Sequence, residues 1–400
     1  MRKEITRLGR RQFLRWASSA GAVAGAAPFI LAHPPGSLTG HSGTEPARQS
    51  NHGSEVVPAT AGDTGSGVIR LNANENPYGP SPAARRAIEQ AITESNRYPI
   101  AEEVELIGVL AKKHDLSRDQ VLPGCGSTEL LRVAVAALAS PGRLILAEPT
   151  YEDPIWYSRA FDIKAVKVPL DDQGAHDLPA MERAAEKDAS LVYVCNPNNP
   201  TGVLADGKKL EAFVRRASKR ATVLVDEAYH DYITDPRYAS MVPLVAEGLP
   251  VVVTRTFSKI YGMAGLRLGY ALSDKKTIER MAEHITFSGA NMLAIHAGLA
   301  SLGDRAFVKH CRKENGRARE DLQHALTERG YPVFQSQTNF VMFKLGSDVR
   351  ELIADLKEEG IRIGRPFPPL TDHCRISLGT PEQMERFVEA FDRWRRAAAA

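Results

Sequence analysis

Four hundred residues exceed one ordinary domain and call for two or three. With 43% hydrophobic and 25% charged residues, the chain has the composition of a soluble globular protein, which excludes a mainly disordered chain, a collagen-like fibre and a polytopic membrane protein. The formal charge of +3 arises from 51 basic against 48 acidic side chains, too near balance to imply a bulk field for nucleic acid.

The basic excess is local. Arg2, Lys3, Arg7, Arg10, Arg11 and Arg15 face one acid, Glu4, at the amino terminus. Arg10-Arg11 just before Phe13-Leu14 resembles a twin-arginine export signal, and Trp16 to Leu31 is mildly apolar. That run is shorter than the ~20 apolar residues needed to span a bilayer, and Gly21, Gly25 and Pro28 weaken it as a helix. Residues 1–32 therefore read as a removable signal cut near Ala32. The competing reading is a basic arm that binds nucleic acid or membrane. Loss of the six basic residues and one acid takes the chain from +3 to −2. The signal predicts export to the periplasm through transient contact with the twin-arginine machinery, and a cytoplasmic protein if it does not function. From His33 to Gly67, 20 of 35 residues are Gly, Pro, Ser or Thr and none is aromatic, so residues 33–67 read as a flexible linker.

Short apolar runs then alternate with amphipathic patterns. Strands are expected at 121–123, 144–147, 191–195, 222–225, 251–254 and 268–271, with helices at 128–138 and 210–218. Continuous apolar strands between helices argue for βαβ units and a largely parallel sheet covered on both faces. Long helical patterns follow Glu279, and a second αβ portion has strands at 339–345 and 375–378 and helices at 348–359 and 381–397. In such sheets ligands bind where loops leave the strand carboxyl ends.

Four segments carry polar groups at those positions. Gly124-Cys-Gly126-Ser127-Thr128 opens a helix and can cup a phosphate, although a plain Gly-Ser turn fits it as well. The strand at 222–225 delivers Asp226, a buried carboxylate that reads as the partner of a structural arginine, as a helix cap, or as the acid that keeps a cofactor's ring nitrogen protonated. Another strand leads to Ser258-Lys259, where burial lowers the lysine pKa and frees the amine for a carbonyl, against the ordinary reading of a surface charge. The loop Cys195-Asn196-Pro-Asn-Asn199-Pro-Thr-Gly202 is fixed by two prolines and a glycine and can orient a phenolate or carboxylate.

Together these segments resemble the fold-type-I pyridoxal-phosphate aminotransferases, most closely the histidinol-phosphate aminotransferase branch. The matching pieces are Leu71-Asn-Ala-Asn-Glu-Asn-Pro-Tyr-Gly-Pro80, Arg97-Tyr98-Pro99, Gly126-Ser-Thr-Glu129, Glu148-Pro-Thr-Tyr151, Asn196–Gly202, Asp226-Glu-Ala-Tyr229, Ser258-Lys259 with Gly265-Leu-Arg267, and Cys374–Thr380. The resemblance implies a large domain with a mostly parallel seven-stranded sheet and a smaller C-terminal α/β domain. Residues 68–97 would form an N-terminal arm, 98–285 the large domain and 286–397 the small one.

It also implies pyridoxal 5′-phosphate as cofactor. Lys259 would hold the cofactor through its amine and move the substrate proton, and Asp226 would meet the pyridinium nitrogen. Asn199 and Tyr229 would bond the phenolic oxygen, and Tyr151 would stack on the ring. Gly126, Ser127, Thr128, Ser258 and Arg267 would bind the phosphate. Arg375 would take a substrate carboxylate or phosphate, with Asn76 and Arg365 also on the substrate. Tyr98 would reach into the other site of a homodimer. The reaction implied moves an amino group from an amino acid or amino phosphate to a 2-oxo acid.

Two departures mark the substrate side. The family's aromatic-Pro lid is replaced by Gly-rich linker, and Arg365 is followed by Pro366-Phe-Pro-Pro369. A decarboxylase resembling threonine-phosphate decarboxylase and an exported, non-catalytic binding protein are the competing functions. Cys125, Cys195, Cys311 and Cys374 lack metal spacing and the 11 histidines form no ligand pair, so no metal is expected, and with no basic-aromatic pattern in the chain neither is a nucleic-acid partner.

Overall fold

The computed structural model describes residues 67–398. The expected signal at 1–32 and the linker as far as residue 66 lie outside the described residues.

Strand β1 (Ile69–Leu71) comes first, followed by helices α1 (Pro82–Ala91) and α2 (Ile100–His114). The start of α1 is written locally: the Ser81 hydroxyl accepts from the Ala84 amide at 3.1 Å, and Pro82 takes a position whose N–H would have no helical partner. Next come β2 (Val121–Gly124), α3 (Gly126–Leu138), β3 (Arg143–Glu148), α4 (Asp153–Ala160) and β4 (Ala165–Pro169). They are followed by α5 (Leu178–Ala184), β5 (Ala189–Cys195), α6 (Gly207–Ala217), β6 (Thr222–Asp226), α7 (Val242–Ala246), β7 (Val251–Thr256), β8 (Gly269–Leu272) and α8 (Lys275–Ala282).

Strands β2 to β8 form one seven-stranded sheet in the order β2-β8-β7-β6-β5-β3-β4. Pairing is parallel from β7 through β6, β5 and β3 to β4, while β8 runs antiparallel to both of its neighbours. Alternation along each central strand supplies both faces. Val192, Val194, Val223, Val225, Val251 and Val253 belong to one core, and Leu191, Tyr193, Leu224 and Val252 to the other. That two-sided burial is why these strands read as unbroken apolar runs. Strand β4 escaped the sequence reading because it lies at the sheet edge, with Lys167 and Pro169 exposed, and lacks such a run.

The remaining elements are α9 (Met292–Gly303), α10 (Arg305–Glu328), β9 (Phe340–Lys344), α11 (Val349–Glu358), β10 (Ile361–Ile363), β11 (His373–Ser377) and α12 (Pro381–Ala398). Strands β9 and β11 pair antiparallel, and β10 pairs parallel with β1. Packing does not follow the boundary expected at 285/286. Ala294, Ile295 and Ala297 of α9 lie in the core of the large sheet, and Ile69 and Leu71 of the expected arm lie in the smaller core. The 24-residue α10 joins the two, with Phe307 and Cys311 in the first core and Leu322 and Leu326 in the second.

Candidate active site

The loops leaving the carboxyl ends of β2, β3, β5, β6 and β7 converge on a cavity of about 440 Å³. Ala73 and Asn74 close it from the amino-terminal side, and Arg365, Phe367 and Arg375 from the carboxyl-terminal side.

The β2 loop turns directly into α3, which begins at Gly126, two residues before the expected Thr128. Cys125 at its cap makes no side-chain capping bond among the described residues, and Ser127 and Thr128 of the first turn of α3 line the cavity. Gly126 has φ +80°, and a Cβ there would stand 2.5 Å from Nη2 of Arg267. Arg267 donates to the Ala264 carbonyl at 2.8 Å and the Ser258 hydroxyl at 3.3 Å, and it has no ion pair among the described residues. A helix start, two hydroxyls and a guanidinium without a carboxylate are the donors an anionic phosphate requires.

Asp226 ends β6 with its carboxylate buried. Thr254 donates to Oδ1 at 3.1 Å and Tyr193 to Oδ2 at 3.3 Å. Burial pushes the carboxyl up to about 6, and those bonds, with the Ala228 amide, only partly oppose the rise. Strand alternation separates this group from its neighbour. Glu227 turns to the other side and takes Arg255 in an ion pair at 2.7 Å, so the structural arginine considered for Asp226 belongs to Glu227.

Lys259 follows β7 and lines the cavity, its Nζ 3.4 Å from the Ala73 carbonyl and 5.7 Å from the Tyr229 ring centroid. Burial first, then the Arg375 guanidinium, lowers its amine to about 8. The Tyr229 hydroxyl accepts from Asn74 Nδ2 at 3.1 Å and from Asn199 Nδ2 at 3.4 Å. With its lone pairs so engaged, its own proton remains to donate into the cavity. Burial raises the Tyr229 pKa, so that proton stays on. Tyr151 lines the cavity and donates to Asp153 Oδ2 at 2.9 Å.

Arg375 is buried on β11. It donates to Asn199 Oδ1 at 2.7 Å and the Asn72 carbonyl at 2.8 Å, while Nε has no partner among the described residues. Burial lowers it to about 10. Arg365 lines the mouth and pairs with Glu152 Oε2 at 2.5 Å.

Of the expected residues, Ser127, Thr128, Tyr151, Asn199, Asp226, Tyr229, Ser258, Lys259, Arg267, Arg365 and Arg375 line this one cavity, and Gly126 underlies Arg267. Asn76 does not. It is buried, donates to the Ile260 carbonyl at 2.7 Å and accepts from the Tyr78 amide at 3.0 Å, so it braces a turn. The asparagine of that motif that does reach the cavity is Asn74, held at φ 55° by bonds between its amide and side chain and the Ser377 hydroxyl. Tyr98 is 80% exposed and lies off the cavity of its own chain. Glu152, Trp156 and Phe367 line the mouth and were not singled out, because no spacing relates residues 152 and 156 to residue 367.

Fold and site define a lysine-centred α/β enzyme built around an anionic, heteroaromatic group. The sequence matches the class I and II aminotransferases over residues 66–391, and the chain belongs to that family, with its fold-type-I architecture. It is 36% identical over 327 residues to the histidinol-phosphate aminotransferase of Brevibacillus brevis, covering 80% of this chain and 88% of the relative. A solved candidate histidinol-phosphate aminotransferase from Erwinia carotovora atroseptica superposes with a TM-score of 0.81 at 34% identity, covering 83% of this chain and 97% of that one. The enzyme of that name from Sinorhizobium meliloti, solved with pyridoxal-5′-phosphate, gives 0.78 at 27%, covering 83% and 91%.

Proposed function

We propose that the chain is a pyridoxal-phosphate-dependent transaminase of the histidinol-phosphate aminotransferase type. It moves an amino group between an amino-acid or amino-phosphate donor and a 2-oxo acid. The observation that carries this reading is the placement of the lowered Lys259 amine, the buried Asp226 carboxylate and the unpaired Arg267 around one cavity.

These residues fit the cofactor. Its phosphate matches the start of α3 with Ser127, Thr128, Ser258 and Arg267, and a protonated ring nitrogen supplies the cation that Asp226 lacks. When bound, the cofactor supplies an electron sink for the carbon that loses its proton. Lys259 would hold it, and its amine, lowered to about 8 and set free once the substrate's own amine has displaced it, would take and return the proton at the substrate Cα near neutral pH. Tyr229 and Asn199 would donate to the phenolic oxygen, Tyr151 would lie against the ring, and Arg375 would orient the substrate's anionic end. Tyr98, exposed on its own chain, suits a role in the site of a second copy, which makes a homodimer the assembly we propose. Export through a twin-arginine signal at residues 1–32 is proposed from the paired Arg10 and Arg11.

The test is a screen of purified, cofactor-loaded protein against histidinol phosphate and aromatic, acidic and basic amino acids, following cofactor absorbance. Conversion to the amine form by a donor, reversed by a 2-oxo acid, supports transamination. Release of CO2 without that conversion identifies a decarboxylase. Unchanged absorbance with every donor overturns the reading.

A further inference from the structure

Once the phosphate cup engages Arg267 and Lys259 holds the cofactor, two guanidiniums remain for substrate, Arg375 and Arg365. They differ. Arg375 is buried with Nε unpartnered, whereas Arg365 is half exposed and already holds a carboxylate, Glu152 Oε2 at 2.5 Å. Both rest on Phe367, each 4.4 Å from its ring centroid. Glu152 belongs to the loop after β3, and Arg365 to the loop between β10 and β11, so the pair bridges the mouth between the two cores. Trp156, one helical turn beyond Glu152, lines the same mouth with half its surface open.

We infer that Glu152 selects substrates by charge: it occupies Arg365 where the distal anion of a second-charge substrate would sit. A dicarboxylate must displace Glu152 and then lie beside its uncompensated charge, an arrangement that disfavours binding. A donor or acceptor with one anionic end and a flat ring meets neither penalty. Its anion takes Arg375, and its ring lies against Trp156 while the Glu152–Arg365 pair stays closed. This rests on the transaminase reading for the identity of the substrates, but not for the behaviour of the pair.

The probes are unreactive acids: glutarate with two carboxylates, and 3-phenylpropanoate with one carboxylate and a ring. Calorimetry on cofactor-loaded protein gives their dissociation constants for wild type, Glu152→Gln, Arg365→Gln and the double variant, with circular dichroism checking each fold. Wild type should bind 3-phenylpropanoate more tightly. Glu152→Gln should shift the ratio of affinities toward glutarate by about tenfold, and the shift should vanish when Arg365 is also replaced. The same shift should appear in kcat/KM for glutamate relative to phenylalanine, through KM. A ratio that moves less than twofold overturns the inference, as does an equal shift in the Arg365→Gln background. If no donor is converted at all, the transaminase reading fails, and the two acids still decide the role of Glu152.

Discussion

The floor of the cavity and its mouth are built from different material. The floor consists of Asp226 at the end of β6, bonded to Thr254 and Tyr193 on the adjacent strands, with Ser258 and Lys259 just beyond β7, bonded to Thr256 and to the Ala73 carbonyl. The mouth is made of Glu152, Trp156, Arg365 and Phe367, from loops tied together by one half-exposed ion pair and stacking on Phe367. Rigid strands suit chemistry that needs a single geometry, while loops can vary without unfolding the core. Chemistry should therefore fail on perturbing the floor, and selectivity should change on perturbing the mouth.

The largest expected effect is at Lys259. Lys259→Ala should reduce turnover by more than about 10⁴-fold and remove the visible absorbance of lysine-held cofactor, with the fold intact by circular dichroism. Retained turnover or absorbance breaks the comparison at its centre.

Asp226→Asn comes next, with an expected loss in kcat of about 10²–10³-fold. It also tests what the floor costs. The folded carboxyl stands at about 6 against an ordinary 3.8, so the native state holds the proton more tightly than the unfolded chain does. Stability from this group is therefore lost as pH rises through that window, by about 3 kcal/mol above it. Cofactor-free Asp226→Asn should resist urea better than wild type at pH 7, with the advantage gone near pH 4. A less stable variant at pH 7 would show that the Thr254 and Tyr193 bonds outweigh burial. Activity and stability moving in opposite directions would mark the carboxylate as kept for the cofactor.

Arg375→Lys sits between the regions. It keeps the charge but loses the planar fork, and should raise KM for donors by about 10–100-fold with a smaller change in kcat. A loss confined to kcat would place Arg375 with the floor.

The same division explains what could be read from sequence. Asp226 was legible because two-sided burial writes an apolar run and the carboxylate is the first polar group after it, whereas Lys259, which lies beyond Thr254, Arg255 and Thr256, and Gly126–Thr128 were legible through their place among the matched motifs. Six strands of the large sheet followed from such runs, whereas the edge strand β4 has none and the count of seven came from the family resemblance. Asn76, expected on the substrate, lies off the cavity that Asn74 lines: the motif carries asparagines at 72, 74 and 76, and the turn at Asn74, with φ 55°, decides which of them faces inward. Glu152 and Phe367 were invisible for a different reason: loops with no period of their own bring them together across more than 200 residues. The course of α10 through both cores was likewise hidden, since helical periodicity reports a buried face but not which core covers it.

The smallest expected effect tests the mouth alone. Trp156 lines the cavity but keeps 53% of its surface exposed, so its removal opens little buried volume and should leave urea stability within about 0.5 kcal/mol. What Trp156→Ala removes is a face for a substrate ring, worth about 0.5–1.5 kcal/mol beyond simple burial. The expected result is a KM for phenylalanine raised by about 3–10-fold, with kcat and the KM for alanine nearly unchanged. Equal losses for the aromatic and the aliphatic donor would mean that Trp156 supports the loop and not the ring, and the mouth would then owe its selectivity to charge alone.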